Sequence, residues 1–288
     1  LAFVTKDFPE TRDDEETKDQ PIAIAIVGKP NVGKSSLINL ICGRERSIAN
    51  PMPGTTRDAI DTVVKAHGKK YLFIDTAGIR KRGSIQKGIE KYSVLRAFHA
   101  IDRADVVLFV MDASTGITAQ DAHIAGFILE EFKSVLVLVN KWDLLKKDSN
   151  TQAEYESRLR SELKFMPYVP VLYISALSGQ RTDRILPLAL RIYQERQQHL
   201  STTDINAIIR DATAQHSPPT RAGKKLRFYY GSQVSVDPPT FVFFVNDTTL
   251  VHFSYVRYLE NQIRERYAFE GTPLKLIFRG HSEKQDGR

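Results

Sequence analysis

The sequence predicts an α/β fold, a mostly parallel sheet with helices on both faces, followed by a small α+β module. Three observations carry that prediction. Apolar runs recur at 22–27, 71–75, 106–112, 135–140 and 169–175, most of them near-continuous, as in parallel strands covered on both faces. Amphipathic stretches lie between them, which is the βαβ pattern. Near Ser201 the texture changes to a compact α-β-β-α-β order.

The elements follow in chain order. Residues 7–20 carry seven carboxylates and almost nothing apolar, so they read as an acidic linker that cannot bury a core. The run at 22–27 opens the sheet. Cys42 lies on the apolar side of the helix that follows, as a small core residue. Residues 63–65 and 71–75 flank "HGKK" and predict a hairpin that adds one antiparallel edge strand. Past Ser201, Ile205, Ile208, Ile209 and Ala212 predict a helix. Stretches 226–236 and 241–245, separated by "DPPT", predict two strands. Val256, Leu259, Ile263 and Tyr267 give a second helix, and 274–278 a last strand. The expected organisation is 1–20 linker and remnant of a preceding domain, 21–200 nucleotide domain, and 201–288 module with a flexible basic tail.

Composition narrows the function classes. No apolar run reaches the ~20 residues of a membrane-spanning helix, and the start lacks the basic flank and apolar core of a secretory signal. A single cysteine excludes an internal disulfide and fits a reducing, cytoplasmic setting. A net charge of +7 favours an anionic partner. The seven His are scattered without metal-ligand spacing.

The chemistry concentrates in short motifs at strand ends. Gly28-Lys29-Pro30-Asn31-Val32-Gly33-Lys34-Ser35, followed by Ser36, fits G-x-x-x-x-G-K-[ST] after a strand and before a helix. Glycines let backbone N–H groups turn around phosphate oxygens, and the helix N-terminus adds positive potential. Lys34 is the candidate to reach the β and γ phosphates, and Ser35 to hold Mg²⁺. Asp75-Thr76-Ala77-Gly78-Ile79 ends another strand, where Asp75 can reach Mg²⁺ through water and the Gly78 N–H can bond the γ-phosphate. Asn140-Lys141-Trp142-Asp143 ends a buried strand. The Asp143 carboxylate can accept from guanine N1–H and N2–H₂, a pair of donors adenine does not present. Trp142 reads as a cover beside the base or as core packing. Ser175-Ala176-Leu177 offers a backbone N–H to guanine O6.

In this order the motifs resemble a translation-factor-type GTPase domain. "NPMPGTTRD" at 50–58 is similar to the first switch of GTPases acting on ribosomes and RNA. That resemblance implies that Thr56 completes the Mg²⁺ shell. It also implies that Thr55, the backbone around Asn50 and Met52, and the Asn31 side chain wrap a K⁺. Lys34, Thr56 and Gly78 are then the catalytic candidates. No Gln follows Gly78 to orient water. Ile79, Arg80, Lys81 and Arg82 stand there, so slow intrinsic hydrolysis is expected, with K⁺ supplying part of an arginine finger's charge. Arg57, Arg80 and Arg82 are further cationic candidates.

"AIVGKPNVGKSSLIN", "PGTTRDAID", "FIDTAGIRKRG", "IEKYSVLRA" and "VLVNKWD" together resemble the second GTPase domain of the EngA/Der family. "RFYYGSQVSVDPPTFVFFVN" resembles that family's C-terminal KH-like domain, and the opening "LAFVTKDFPE" looks like the last helix of its first GTPase domain. The resemblance implies GTP/GDP with Mg²⁺, and the large ribosomal subunit and its rRNA as partners. It implies no membrane, no DNA, and a contact between the GTPase and KH-like parts. The Gly-x-x-Gly loop of ordinary KH domains is absent. Arg221, Lys224, Lys225 and Arg227 around Phe228, Tyr229 and Tyr230, with Arg257, Arg264 and Arg266, read either as a phosphate- and base-contacting patch or as snorkelling strand ends. Three rivals stay open: a K⁺-dependent tRNA-modification-type GTPase, a passive RNA-binding module with a structural nucleotide site, and an ATPase or nucleotide kinase, against which Asn140 and Asp143 speak.

Overall fold

Strand β1 (Ile22–Val27) is buried along nearly its whole length, and β5 (Val106–Asp112) and β6 (Ser134–Asn140) are buried at every position. Both-face burial is why these strands read as unbroken apolar runs. The computed structural model describes residues 20–44, 46–48, 61–76, 89–146, 148, 150–221 and 223–280. The readings at 7–19, Asn50, Met52, Thr55, Thr56, Arg57, Ala77, Gly78, Ile79, Arg80, Lys81, Arg82 and the tail past 280 lie outside them.

The larger sheet runs in the order β2-β3-β4-β1-β5-β6-β7, with β2 Arg46–Ile48, β3 Thr62–Ala66, β4 Lys69–Phe73 and β7 Val171–Tyr173. Strands β4, β1, β5, β6 and β7 pair in parallel, while β3 is antiparallel to both β4 and β2. The expected antiparallel strand is therefore present but internal. The edge is β2, three residues long, too short to leave a periodic signal. His67 (φ 50°) and Gly68 (φ 72°) turn the β3–β4 hairpin with two positive φ values, the geometry that matches strand twist. Strand β7 is shorter than the predicted 169–175, although the flanking Pro170 carbonyl and Ile174 N–H still bond β6.

Helices cover both faces: α1 Lys34–Arg44, α2 Ile89–Asp102, α3 Ala119–Glu130, α4 Thr151–Glu162 and α5 Ile185–Arg196. One face buries Leu37, Ile38 and Ile41 of α1 with Ile185, Ala189 and Ile192 of α5. The other buries Ala125 and Ile128 of α3 with Ile101 and Leu159. Cys42 is half-buried against the first cluster.

The C-terminal module has helix α6 (Thr202–Gln215), capped where Ser201 Oγ accepts the Asp204 N–H at 3.1 Å. A two-stranded ribbon follows (β8 Thr220–Arg221, β9 Lys224–Lys225), which sequence periodicity does not reveal. Then come β10 Phe228–Val236, β11 Pro239–Val245, α7 Phe253–Arg266 and β12 Lys275–Gly280. Strand β11 is central, antiparallel to β10 and parallel to β12. Phe241, Phe243 and Phe269 are fully buried with Ile205, Ile208, Ile209 and Ile263, each such side chain contributing about 1.5–3 kcal/mol.

The module seats on the N-terminal end of β6. The Val135 N–H donates to Gly271 O at 2.7 Å, and the Gly271 N–H to Tyr168 O at 3.0 Å. The Ser134 and Thr272 hydroxyls lie 2.9 Å apart. Arg196 of α5, 2% exposed, donates to Phe132 O at 2.8 Å and pairs with Asp237. The Arg264 guanidinium lies 3.8 Å over the Tyr168 ring and donates to Phe269 O and Thr272 O. Arg264, which the sequence reads as part of a phosphate-contacting patch or as a snorkelling end, is an interface residue. Arg266 pairs with Asp211.

Candidate nucleotide site

The opposite, C-terminal end of the parallel strands gathers the motif residues. After β1 the chain turns through Gly28–Gly33 into α1, whose first turn holds no acidic residue. That leaves the helix N-terminus available to an anion. A side chain on Gly33 (φ 101°) would sit 2.2 Å from Asn140 Nδ2, so only glycine lets loop and strand approach this closely. Lys34 curls back so that Nζ donates to Gly28 O at 2.7 Å and Lys29 O at 2.6 Å. Its ammonium therefore stands over the mouth of the loop. Asn31 and Pro30 are exposed, Val32 is buried, and Ser35 is half-buried with Ser36 exposed.

Asn140 ties two loops together from the buried end of β6. Its Nδ2 donates to Val32 O at 2.7 Å, and its Oδ1 accepts the Ala176 N–H at 2.8 Å. The 28–33 loop and the 175–177 segment are thereby fixed to one side chain. The Trp142 N–H donates to Ile174 O at 3.0 Å, which holds the 140–143 loop against the other. The Trp142 ring is 3% exposed and packs on Tyr155 and Tyr173. Of its two readings, core packing is the one the geometry matches. Asp143 is exposed. Ser175 is buried, receives the Ser178 N–H on Oγ, and is followed by Leu177, 86% exposed.

Asp75 follows β4 with φ 52°, and its N–H is received by Asp61 Oδ1 at 2.9 Å. The buried Thr76 hydroxyl meets that of Thr62 at 2.8 Å. Asn31 (φ 66°), Asp75 and Lys141 (φ 61°) are three of the seven non-glycine residues with positive φ among the described residues. Such backbone costs of order 1–3 kcal/mol each and gathers at functional sites.

Sequence reasoning missed two carboxylates here. Lys141 Nζ pairs with Asp112 at the end of β5. Burial pushes the Asp112 carboxyl up, but hydrogen bonds from Lys141 and Ser114 outweigh it and leave the group below its ordinary range. Lys29 Nζ lies 2.9 Å from Asp121 Oδ2 and 3.0 Å from Thr118 Oγ1. The Thr118-x-x-Asp121 spacing of a capping box was the available signal for Asp121.

The oxygen set suits a hard divalent cation. A Ser35 hydroxyl at the start of α1 and an Asp75 carboxylate at the end of β4 are the donors Mg²⁺ takes when it shares phosphates with a protein. Among the described residues no group of three His, Cys, Asp or Glu could hold a metal ion on its own. No described helix is long and apolar enough to cross a membrane.

Comparison with known proteins agrees with this layout. A family model described as 50S ribosome-binding GTPase matches residues 23–141, and one for the C-terminal KH-domain-like part of EngA bacterial GTPase enzymes matches 199–279. The GTPase Der of Chloroflexus aggregans is 48% identical over 287 residues, covering 99% of this chain and 64% of that protein. Those of Agathobacter rectalis and Acetivibrio thermocellus are 49% and 50% identical, with 64% and 63% of their lengths covered. The chain thus spans just under two thirds of these curated relatives. The chain belongs to the EngA/Der family of GTPases.

Proposed function

We propose that this chain binds GTP with Mg²⁺, hydrolyses it slowly, and uses the cycle to control contact with the large ribosomal subunit and its rRNA in the cytoplasm. The observation that carries the reading is Asn140, which holds the phosphate loop and the 175–177 segment at once. Residues 21–200 form the GTPase domain and 201–288 the KH-like domain, with 1–20 as a linker. Lys34, Ser35, Gly33 and the α1 amides take the phosphates; Asp143, Lys141 and the 175–177 backbone take the guanine. Bound Mg²⁺ neutralises developing charge on the phosphates, and Ser35, Asp75 and Thr56 are the residues that would hold it. Asn31 and Thr55 are assigned to K⁺.

The partner assignment is supported by the 50S ribosome-binding description of the matching family model and by exposed Arg221, Lys224, Lys225, Arg227, Tyr229 and Tyr230 on the module. The switching step is assigned to 50–58 and 76–90, as the segments that answer the γ-phosphate. The test is phosphate release by this chain with K⁺ or Na⁺, with and without large subunits, beside a Lys34→Ala control. Turnover above the control that rises with K⁺ and with subunits supports the reading. Turnover equal to the control contradicts it.

A further inference from the structure

Two lysines at the site come from different loops, yet one short segment holds both. Lys29 of the phosphate loop pairs with Asp121 in the first turn of α3. Lys141 of the guanine loop pairs with Asp112, where β5 ends. Residues 112–121 therefore link the two loops, starting beside Asn140, whose backbone carbonyl receives the Ala113 N–H at 2.9 Å.

Asp121 is fully buried. Its Oδ2 accepts the Thr118 N–H at 2.9 Å and the Thr118 hydroxyl at 2.8 Å, besides Lys29. Its Oδ1 is buried without a hydrogen-bond partner among the described residues. Helix capping alone is served as well by an exposed carboxylate, and a buried charge left half-satisfied is costly. The opposite charge of Lys29, 13% exposed, is what offsets that cost. At the other end, the Ser114 N–H and hydroxyl fix Asp112 Oδ1 at 2.9 and 2.6 Å, leaving Oδ2 for Lys141.

We propose that Asp121 and Asp112 are positioning residues that anchor the phosphate loop and the guanine loop to the 112–121 segment, and so fix the spacing between the phosphate and base subsites of a guanosine nucleotide. The inference rests on the site reading given above. Neither carboxylate is assigned a contact with the nucleotide; each acts through its lysine. Releasing either lysine frees a loop whose ordering is then charged against binding.

The experiment uses the whole chain, a fluorescent GDP displaced by GTP, GDP or GMP, and a thermal melt of each variant. Asp121→Asn is expected to raise Kd for GTP and GDP about tenfold and for GMP less than about threefold, because only the phosphate loop is loosened. Lys29→Met should reproduce that pattern, and the double variant should be no worse than either single change, the signature of one coupled pair. Asp112→Asn should weaken all three nucleotides by the same factor. A lowered melting temperature with unchanged Kd, or additive Asp121 and Lys29 effects, overturns the proposal. Should Asp121→Asn fail to fold, Lys29→Met alone decides by the same ratio. A parent chain that binds no GTP overturns the site reading and this inference with it; a binding parent with unchanged variants overturns this inference alone.

Discussion

The two ends of the parallel sheet solve opposite problems with the same kinds of side chain. At the N-terminal end, cations are consumed inside the protein: Arg196 serves Phe132 O and Asp237, and Arg264 serves Glu260, Phe269 O, Thr272 O and the Tyr168 ring. At the C-terminal end, Lys34 rests on loop carbonyls, neutral partners that an anionic phosphate can outbid. Both ends also hold non-glycine residues at positive φ: Asn31, Asp75 and Lys141 at one, Phe132 and Phe269 at the other. Strained backbone by itself therefore does not mark a ligand site in this protein. What separates the ends is where the cations lie: Arg196 and Arg264 are packed into the contact with the C-terminal module, while Lys29, Lys34 and Lys141 gather on the loops of the candidate site.

Substitutions should separate the two ends, and the largest effect is expected at Lys34. Lys34→Ala should weaken GTP on the order of 100-fold, the worth of charge-assisted hydrogen bonds to phosphate, with little change in melting temperature, as read by calorimetry and a melt. Arg196→Leu should do the reverse. Loss of a buried guanidinium leaves Phe132 O without its donor and costs about 2–3 kcal/mol of stability by denaturant titration, while GTP affinity stays within about twofold, since distant sites are nearly independent. If Arg196→Leu abolished nucleotide binding in a folded chain, the two ends would not be separable.

Asp143→Asn should cost GTP about tenfold or more and transfer preference to xanthosine nucleotides, because an amide donates where the carboxylate accepted. Unchanged base preference would remove Asp143 from the base subsite. The smallest effect concerns Tyr155, whose phenol is pushed up to about 12 by burial and by the nearby Asp121 and Asp112 charges. A raised phenol favours its neutral form in the fold, so this contribution is complete below the ordinary value of 10 and disappears as pH climbs through about 12. Alkaline unfolding should shift in Tyr155→Phe, which has no phenol to ionise; identical alkaline profiles would contradict the assignment.

Legibility followed burial and length. Strands β1, β5 and β6 were readable to within a residue because both faces are covered, which forces continuous apolar runs. Strands β2, β8 and β9 have three, two and two residues, below any periodic signal. The 28–35 and 140–143 motifs stood out because Gly28, Gly33 and Lys34, and then Asn140 and Asp143, come at set spacing directly after buried strands. Asp112 and Asp121 did not, because a carboxylate's partner is set by which loops the fold brings together. Arg264 misled for the same reason: helical periodicity places it on α7, but not under Tyr168.

The account depends on one guanine-selective, magnesium-dependent triphosphate site at the C-terminal strand ends. Isothermal titration of the chain with GTP and with ATP, each with Mg²⁺, tests it most directly. The account predicts saturable one-to-one binding of GTP, and ATP weaker by at least about 100-fold, since adenine leaves the Asp143 carboxylate unpaired. No heat from GTP, or equal affinity for ATP, would contradict it.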